Sequence, residues 1–512
     1  MACIGGVIAA LGFAPLNLWP LTLLGLAVLM SLVGGARNWS AAAVRGWLWG
    51  CGHFIVNFNW IAHAFTFQDN MPHWFGWIAV VALAAFLALY VAAVAGATVW
   101  VVQLCSRESA SPDPNQQLGS RLRGNTALSF TLIFSAFWVV GEYARATLLT
   151  GFAWDPIGVT MEPALLRQSA KWIGTYGLSG LTVLFASFVM TRRTTIRALV
   201  VIAFLVVWLG GLYAHGGLIK RAIGDKEPLL TIVQPNIPED IGADQRQYFA
   251  NLITHMRLSG LADPHHPRLI LWPEGSLTDY IGDERWARER LAAILGPHDI
   301  LAAGGPKLEF DAHHHLIGAR NAIFLLNARA EIVGRYDKAH LVPGGEYLPL
   351  RTILSQAGLN RLVPGDLDFL PGPGPRTLSV PSFGKMGGLI CYEVIFSGNV
   401  VDRAHRPDFI FNPSTDAWFG AWGPPQHLAQ AQMRALEEGL PIIRATTTGI
   451  SAVIAADGEV WRSLPLNTQG TLISFIPPAD APTLFSKYGN LIPLGLATVL
   501  ALIGLALAQR KP

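Results

Sequence analysis

Charged residues and cysteines are both scarce in this chain of 512 residues. Only 14% of the residues are charged, whereas 52% are hydrophobic, a balance that soluble domains rarely reach. The net charge of +3 is small for this length, and it argues against a nucleic-acid-binding surface. The composition therefore predicts a membrane protein.

Several familiar binding motifs are absent as well. Cys3, Cys51 and Cys105 lie in or beside apolar segments, so their spacing indicates no disulfide framework. Cys391 stands alone in the second half of the chain. There is no Walker phosphate loop, no HExxH and no pair of CxxC motifs, and we expect neither a cofactor nor a metal. The run His313–His315 lacks a nearby cysteine or acidic ligand pattern, which favours a solvated loop over a metal site.

Long apolar stretches are abundant on either side of a central hydrophilic segment. A helix needs about 20 apolar residues to cross the hydrocarbon core of a bilayer. Seven stretches approach or reach this length, namely Leu18–Val33, Gly46–Phe65, Trp74–Leu104, Thr126–Val140, Trp172–Met190, Ile196–Leu212 and Leu491–Ala508. Ile4–Phe13 is shorter; either it relies on neighbouring helices, or the chain begins downstream of its true start. We predict seven spans before the hydrophilic segment and one after it.

Lysines and arginines between the spans indicate the orientation, because cytoplasmic loops retain basic residues. Basic residues occupy alternate connections, at Arg37, Arg45, Arg107, Arg121, Arg123, Arg192, Arg193, Arg197, Arg510 and Lys511. The connections Ala14–Trp19 and Thr66–His73 contain none, whereas Tyr143–Lys171 contains three and weakens the pattern. We therefore predict a seven-span transmembrane domain over residues 1–217, a periplasmic domain over residues 218–486, and a C-terminal helix with a cytoplasmic tail over residues 487–512.

The hydrophilic segment has the pattern of a soluble α/β domain. Short apolar runs predict strands at Leu229–Asn236, Arg268–Pro273, Ile300–Gly304, Ala322–Leu326, Met386–Tyr392, Asp408–Asn412, Pro441–Thr446 and Ala452–Ala456. Gln245–Ser259 and Gln426–Glu438 have helical apolar spacing, and the Gly-Pro-Pro before the latter is predicted to determine its start. This order predicts a layered sandwich of sheets and helices with reactive residues at strand ends.

Three separate stretches each contain a residue suited to catalysis. Glu274 follows the apolar run LILWP, Lys338 lies in GRYDKAHLVPGGEYLPL, and Cys391 follows two glycines in GGLICYEVIF. Each has an ordinary explanation when taken alone. A glutamate at a strand end is usually solvated, a lysine usually lies at the surface, and a buried cysteine usually packs as a small apolar side chain.

Taken together, the three residue types complement one another chemically. A thiol with a pKa of about 8.5 is mostly protonated at neutral pH and has to lose its proton to attack a carbonyl group. Glu274 is a suitable base, and we expect its apolar lead-in to raise its pKa toward the working pH. A fixed ammonium such as Lys338 and backbone N–H groups after Cys391 would stabilise the oxyanion that forms. We therefore predict that Glu274 is the base, Lys338 the oxyanion stabiliser and Cys391 the nucleophile.

The same stretches resemble a known enzyme superfamily. WPEG, YDKAHLVPGGEYLP, GGLICYE and NPSTDAWFG resemble the carbon–nitrogen hydrolase (nitrilase) superfamily, whose Glu-Lys-Cys triad matches Glu274, Lys338 and Cys391. With GFAPLNLWP, FNW, TGFAWDPIG, AQMRALEEGLPIIRATTTGISAVI and YGN, the whole chain resembles the apolipoprotein N-acyltransferase family. The resemblance implies a multi-pass α-helical membrane domain plus an α/β nitrilase-like αββα sandwich domain. It also implies a bacterial inner membrane, with the catalytic domain in the periplasm.

The resemblance further implies an acyl transfer in two steps. Cys391 takes the sn-1 acyl chain of a phospholipid as a thioester, and the α-amino group of an apolipoprotein's N-terminal diacylglyceryl-cysteine then receives it. The expected partners are a phospholipid donor, a diacylglyceryl apolipoprotein acceptor and the lipid bilayer; we expect no nucleic acid, and a monomer. Two alternatives are a membrane-tethered amidase or nitrilase that hydrolyses its thioester, and a non-catalytic membrane scaffold.

Residues near the triad are candidates for supporting roles. By the resemblance, Glu346 and Glu393 would hold Lys338 charged, orient it or polarise the base. The backbone N–H of Tyr392 is a candidate oxyanion donor, although its side chain could equally be packing.

Other residues remain open between two interpretations. Trp418, Phe419 and Trp422 are candidates to bind the acyl chain or meet the membrane surface, and core packing explains them equally well. Glu142 and Arg145, beside an apolar stretch, are candidates for an intramembrane or interfacial pair, and charges at such positions are rare.

Overall fold

The structure is a computed structural model that describes residues 1–67, 72–107, 125–160, 164–189, 228–238, 245–263, 266–277, 279–349 and 368–509. These residues fall into two compact units. The helical unit contains the described parts of Met1–Ala62, Trp74–Ile219 and Lys487–Pro512. The α/β unit contains those of His63–His73 and Lys220–Ser486. The predicted boundary between residues 217 and 218 lies outside the described residues.

The longer helices are labelled here in chain order. Within the described residues, those of eight residues or more are α1 (Ala2–Ala10), α2 (Trp19–Gly34), α3 (Trp39–Asn57), α4 (Phe75–Arg107), α5 (Asn125–Thr147), α6 (Ala170–Val189), α7 (Gln245–Leu258), α8 (Arg285–Ala292), α9 (Gly423–Glu438) and α10 (Leu491–Gln509).

Three helices in the described part of the chain are long and apolar enough to cross a bilayer. They are Phe75–Cys105 in α4, Ala127–Thr147 in α5 and Leu491–Gln509 in α10. Each overlaps a predicted span, although the second continues seven residues beyond the predicted end at Val140. Helix α2 is apolar but has only 16 residues. The predicted span Ile196–Leu212 lies outside the described residues.

The predicted span Gly46–Phe65 is wrong in its bounds. Helix α3 begins at Trp39, because the side chain of Asn38 accepts a hydrogen bond from a backbone N–H of the first turn and caps the helix there. It ends at Asn57, after which the chain forms short helical turns. The hydrophobic pattern alone does not reveal this cap, because it is a polar contact.

Small residues allow the helices of the first unit to approach one another closely. A Cβ atom at Gly6 of α1 would lie 1.9 Å from the carbonyl oxygen of Trp49 in α3. One at Gly50 of α3 would lie 2.8 Å from the Cβ of Ala88 in α4. Contacts of this kind between backbones are typical of helices packed within membranes.

Two buried charged residues of α5 anchor the loop that follows that helix. Glu142 Oε1 accepts a hydrogen bond from the backbone N–H of Ile157 at 2.9 Å. Arg145 Nη1 donates to the carbonyl oxygens of Phe152 at 3.1 Å and Trp154 at 2.7 Å. In the structure, both residues therefore hold this loop against the end of α5.

The α/β unit contains two six-stranded sheets. The strands are β1 (Leu229–Gln234), β2 (Arg268–Leu271), β3 (Ile300–Phe310), β4 (Leu316–Asn327), β5 (Ile332–Asp337), β6 (Thr377–Val380), β7 (Gly384–Gly388), β8 (Phe409–Ser414), β9 (Ile442–Thr446), β10 (Ala452–Ile454), β11 (Val460–Ser463) and β12 (Gly470–Ser474). Their orders are β12-β1-β2-β3-β4-β5 and β11-β10-β9-β8-β7-β6. The runs β1-β2-β3 and β7-β8-β9 are parallel, and the remaining pairs are antiparallel.

The two sheets pack face to face through one apolar core. Leu230 and Leu271 of the first sheet lie in this core with Phe409 and Ile443 of the second. Helices α7 and α8 cover the other face of the first sheet, and α9 packs against β9 and β10. Strands covered on both faces read as continuous apolar runs, which is why the sequence predicts them well. The predicted αββα sandwich is confirmed.

Two elements of this unit have bounds that differ from the predicted ones, and both lie near the candidate site. The strand predicted over Met386–Tyr392 ends at Gly388, and Cys391–Ile395 forms a short 3₁₀ turn instead. Helix α9 begins at Gly423 rather than after Gly-Pro-Pro. Proline is accepted in the first turn, because the N–H groups there have no partner within the helix. Strands β5, β6, β11 and β12 were not among the predicted runs.

The buried charges around Arg145 generate a prediction for stability. Glu142 and Asp155 lie close enough to interact electrostatically with its guanidinium. Arg145→Met would remove the two hydrogen bonds that Arg145 donates to the carbonyl oxygens of Phe152 and Trp154, so we expect a loss of about 1–3 kcal/mol of stability for each. The measurement is the apparent melting temperature of the purified protein in detergent. Arg329→Met is the control, because the Arg329 side chain is 79% exposed; equal melting temperatures for the two variants would contradict the anchoring role.

Candidate active site

Cys391 lies in a sharp turn just beyond the end of β7. Its φ is +49°, a left-handed conformation that is uncommon for a residue other than glycine and is kept only where surrounding contacts enforce it. One such contact is from His427 Nε2, which is 3.1 Å from the Cys391 carbonyl oxygen. Another is the hydrogen bond from Ile390 N–H to Glu393 Oε2 at 2.7 Å. The turn therefore places a buried thiol just beyond the end of β7.

Glu274 follows β2 by three residues and approaches the same thiol. Its carboxylate lies close enough to Cys391 for each group to shift the pKa of the other. It also accepts hydrogen bonds from Asn321 Nδ2 at 2.8 Å and from the backbone N–H of Thr415 at 2.9 Å. Behind it, a Cβ atom at Gly304 of β3 would lie 2.8 Å from the Cα of Glu274, so β3 supports the backbone closely.

Lys338 follows β5 and is almost completely buried, with 1% of its side chain exposed. Its ammonium lies 3.3 Å from Glu274 Oε1 and 2.9 Å from Glu346 Oε1. Asn321 Nδ2 donates to both of these carboxylates, at 2.8 Å and 3.0 Å. Glu346 Oε2 accepts a further hydrogen bond from Val342 N–H at 2.8 Å. The structure thus brings Glu274, Lys338 and Glu346 together.

Charge interactions determine the resting protonation of these groups. Burial pushes the pKa of Glu274 upward, but Lys338 and the hydrogen bonds outweigh burial and bring that pKa below its usual value. Burial, and then the charge of Glu274, raise the pKa of the Cys391 thiol. Burial alone would lower the pKa of Lys338, yet its two carboxylate neighbours raise it. The resting site therefore holds a neutral thiol, an ionised carboxylate and an ammonium.

The expected effect of the apolar LILWP run on Glu274 is therefore wrong in direction. The run does bury the carboxyl group, and burial does disfavour the ionised form. The ammonium of Lys338 and the hydrogen bonds together lower the pKa of Glu274 by more than burial raises it. Lys338 lies 64 residues away in sequence. Local composition could not reveal it.

Glu393 joins the turn of Cys391 to the segment that follows Lys338. Its carboxylate accepts hydrogen bonds from Tyr336 Oη at 2.8 Å, Ala339 N–H at 2.8 Å and His340 N–H at 3.1 Å, besides that of Ile390. Burial raises the pKa of Glu393 to about 7, although these donors oppose the rise. Every one of these partners donates, so the ionised carboxylate is the form that satisfies all of them.

A second polar cluster lies beside Cys391, and sequence reasoning did not identify it. Ser414 Oγ lies 3.3 Å from Cys391 Sγ and 2.7 Å from Asp416 Oδ1. Arg444 Nη2 donates to both oxygens of Asp416, at 2.8 Å and 2.6 Å. One signal was available: Arg444 is a charged residue inside the otherwise apolar strand β9, where a buried charge requires a partner.

His427 connects this cluster to the backbone of Cys391. Burial, and then the charge of Arg444, lower the pKa of His427, so its ring is neutral. A carbonyl oxygen only accepts, so Nε2 carries the proton and donates to Cys391 O. Nδ1 lies 2.9 Å from Arg444 Nη2 and 3.1 Å from Asp416 Oδ1, and in this tautomer it accepts from the guanidinium. Like Glu393, His427 therefore supports the strained turn.

The remaining candidates lie nearby but are less closely engaged. Tyr392 is buried, and its ring contacts Phe396 with a centroid distance of 5.2 Å. Phe419 packs against the core between the sheets, which favours core packing for this residue. Trp418 is half-buried, with its ring 5.1 Å from that of Phe67 in the same unit.

Trp422 and the run His313–His315 are the last residues that the sequence analysis singled out. Trp422 is half-buried at the start of α9. His313–His315 lies in an exposed turn between β3 and β4, where Asp311 accepts backbone N–H groups. No group of three or more metal-binding side chains occurs among the residues that the structure describes.

Comparison with known families assigns both parts of the chain. The family model for the apolipoprotein N-acyltransferase N-terminal domain matches residues 5–188. The carbon–nitrogen hydrolase model matches residues 229–483, so this part belongs to that enzyme superfamily and has its nitrilase-like fold. Among solved structures, the chain resembles Saccharomyces cerevisiae Nit3 of the nitrilase superfamily (16% identity, TM-score 0.34, 49% of this chain and 90% of that chain). It also resembles an amidase from Nesterenkonia sp. (18% identity, TM-score 0.33, 52% of this chain and 94% of that chain).

Full-length relatives provide the assignment. An apolipoprotein N-acyltransferase of Rhodopseudomonas palustris is 32% identical, covering 100% of this chain and 95% of the relative. One of Caulobacter vibrioides is 31% identical, covering 98% of this chain and 92% of the relative. Identity at this level over nearly the full length of both chains shows that the chain belongs to the apolipoprotein N-acyltransferase family.

Proposed function

We propose that this protein transfers the sn-1 acyl chain of a phospholipid to the α-amino group of an apolipoprotein's N-terminal diacylglyceryl-cysteine. The transfer proceeds through a thioester on Cys391. The observation that carries this proposal is the position of the Cys391 thiol beside the Glu274 carboxylate, which in turn contacts the buried ammonium of Lys338. Family membership supports the choice of lipid and lipoprotein substrates.

In the first step, the Cys391 thiol attacks the ester carbonyl of the phospholipid. Glu274 is ionised but is a weak base, and the thiol is reluctant to ionise. We therefore infer that the proton moves to Glu274 as the new S–C bond forms, rather than beforehand. The protonated Glu274 then gives the proton to the glycerol oxygen as the C–O bond breaks, and the lysophospholipid leaves.

Negative charge on the carbonyl oxygen has to be stabilised during this attack. The ammonium of Lys338 is the principal candidate, because it is already fixed by Glu274 and Glu346 and needs no reorganisation. The backbone N–H of Tyr392, directly after the nucleophile, would be the second donor. Each such donor typically contributes about 3–4 kcal/mol to the stability of the transition state.

In the second step, the α-amino group of the acceptor attacks the thioester. The amine first loses its extra proton to solvent, and its nitrogen then forms the C–N bond. Glu274 takes the remaining excess proton and returns it to the sulfur as the C–S bond breaks. The cycle therefore ends with a neutral thiol and an ionised carboxylate.

Both substrates carry acyl chains that cost about 0.8 kcal/mol per CH₂ to move into water. An enzyme attached to the bilayer avoids this cost. We accordingly propose a multi-pass inner-membrane protein whose catalytic domain, over residues 218–486, lies in the periplasm. Trp418 and Trp422 remain candidates for contact with the acyl chain.

The products distinguish the acyltransferase from a membrane-tethered amidase or nitrilase. Purified protein in phospholipid–detergent micelles is given a synthetic diacylated lipopeptide, and the products are analysed by mass spectrometry. We expect N-acylated peptide together with lysophospholipid, and neither product from Cys391→Ala. Free fatty acid or ammonia without N-acylated peptide would support the hydrolase instead.

Glu274→Gln tests the assignment of the base. The variant keeps the shape of the side chain but cannot accept the thiol proton, and a general base typically contributes about 10²–10⁴-fold in rate. We expect acyl-enzyme formation on Cys391, followed by intact-protein mass spectrometry, to slow by about that factor. Glu289→Gln is the control, because that side chain is 55% exposed. Unchanged loading in Glu274→Gln would refute this role.

The pH dependence of loading tests the role of Glu393. Ionised Glu393 holds the segment after Lys338 and the turn of Cys391, so we expect loading to fall as the pH drops through about 7. Tyr336→Phe removes a donor that favours the ionised form. The pKa of Glu393 should therefore rise, and the acid limb of the profile should move to higher pH. Tyr280→Phe is the control, because Tyr280 is 38% exposed, and it should leave the acid limb of the pH profile unchanged. An unchanged acid limb in Tyr336→Phe would contradict the role of Glu393.

A further inference from the structure

The hydroxyl of Ser414 lies between two hydrogen-bond acceptors. Its Oγ is 3.3 Å from Cys391 Sγ and 2.7 Å from Asp416 Oδ1, and the residue is completely buried. A hydroxyl has a single proton, so it donates to only one of these atoms at a time. Which atom receives the hydrogen bond depends on the charges that the two carry.

In the resting site the hydroxyl donates to Asp416. Burial pushes the pKa of Asp416 upward, but the adjacent Arg444 and other donors outweigh burial and bring it well below its usual value. The carboxylate is therefore charged, whereas the Cys391 thiol is neutral. A charged acceptor makes the stronger hydrogen bond, so the hydroxyl donates to the Asp416 carboxylate rather than to the neutral sulfur.

Negative charge on the sulfur reverses this preference at small cost. Arg444 continues to donate to both oxygens of Asp416 at 2.8 Å and 2.6 Å, so the carboxylate keeps its ion pair when the hydroxyl turns away. A rotation of the Ser414 O–H bond is sufficient, since Oγ already lies at hydrogen-bond distance from Sγ. No backbone movement is required.

We propose that Ser414 is a further catalytic residue, whose hydroxyl turns from Asp416 to the sulfur of Cys391 whenever that sulfur carries negative charge. The proposal rests on the acyl transfer described above, in which such charge develops twice. It develops as the thiol proton passes to Glu274 during attack, and again as the C–S bond of the thioester breaks. The Ser414 proton stays on Oγ throughout, so the hydroxyl stabilises the sulfur without exchanging a proton with it.

The test measures the reactivity of the thiol in the absence of lipid. The full chain in detergent, with Cys3, Cys51 and Cys105 replaced by alanine, is treated with iodoacetamide, and the rate constant for Cys391 is measured across a range of pH. We expect Ser414→Ala to lower this rate constant by about 10- to 100-fold at each pH where the thiol is mostly protonated. The substitution enlarges the space beside the sulfur, so reduced access does not explain a slower reaction.

A matched pair separates the hydroxyl from the shape of the side chain. Ser414→Thr keeps the hydroxyl, and Ser414→Val replaces it with a methyl group in a side chain of the same shape. We expect the valine substitution to react about 10- to 100-fold more slowly than the threonine one. Equal rates for this pair, or a rate in Ser414→Ala equal to that of the parent, would overturn the proposal. If Ser414→Ala does not fold, the comparison of Ser414→Thr with Ser414→Val still tests the role of the hydroxyl.

Ser451→Ala is the control for losing a buried hydroxyl elsewhere in the same unit. Ser451 Oγ accepts from the backbone N–H of Thr446 at 3.0 Å and lies 3.2 Å from Thr446 Oγ1, so its hydrogen bonds are to Thr446 and not to the sulfur of Cys391. We expect a lower melting temperature and no change in the rate constant, which is the behaviour of a structural hydroxyl. The alkylation assay contains no lipid, so its result does not depend on acyl transfer. If Ser414→Ala reacts more slowly but the parent protein transfers no acyl chain, the proposed acyltransferase function is wrong and the proposed hydrogen bond from Ser414 to the sulfur still holds.

Discussion

The active site depends on a buried ammonium held between two carboxylates. Lys338 is almost completely enclosed, and a charge in such surroundings is strongly disfavoured unless it is paired. Glu274 and Glu346 provide that pairing, and the amide of Asn321 bridges them. The arrangement has a chemical consequence: it keeps Glu274 ionised while the thiol of Cys391 stays protonated. In the proposed reaction, proton transfer to Glu274 therefore accompanies bond formation at the sulfur.

Residues from both sheets meet at this site, so the packing between the sheets determines its geometry. Glu274 and Lys338 follow strands of the first sheet, whereas Cys391 follows a strand of the second. Tyr336 of β5 donates to Glu393 beyond β7, which joins the two sheets directly. A Cβ atom at position 388 would lie 2.4 Å from the Tyr336 ring, so the sheets approach this closely only because Gly388 has none.

Buried charge serves as structural support in both units. Arg145 holds a loop in the helical unit through backbone carbonyls, and Arg444 holds Asp416 behind the nucleophile. In each case the surroundings exclude water, so the hydrogen bonds are strong and the loss of one partner would be costly. An apolar setting would also suit the proposed acyl transfer, because water would compete with the amine for the thioester.

The sequence by itself determined the elements and residues that depend on local pattern. Continuous apolar runs predicted the central strands, because those strands are covered on both faces, and short blocks identified Glu274, Lys338 and Cys391. Length and hydropathy predicted helices suited to a bilayer, although the polar cap of Asn38 shifted α3 from its expected bounds.

The charge states and hydrogen-bond partners of the candidate site residues follow from the tertiary structure alone. The direction of the Glu274 pKa shift, the turn at Cys391 and the cluster of Ser414, Asp416 and Arg444 all depend on partners distant along the chain. Electrostatic and hydrogen-bond energies depend on distances in space, and a sequence motif specifies those distances only after the sheets have packed.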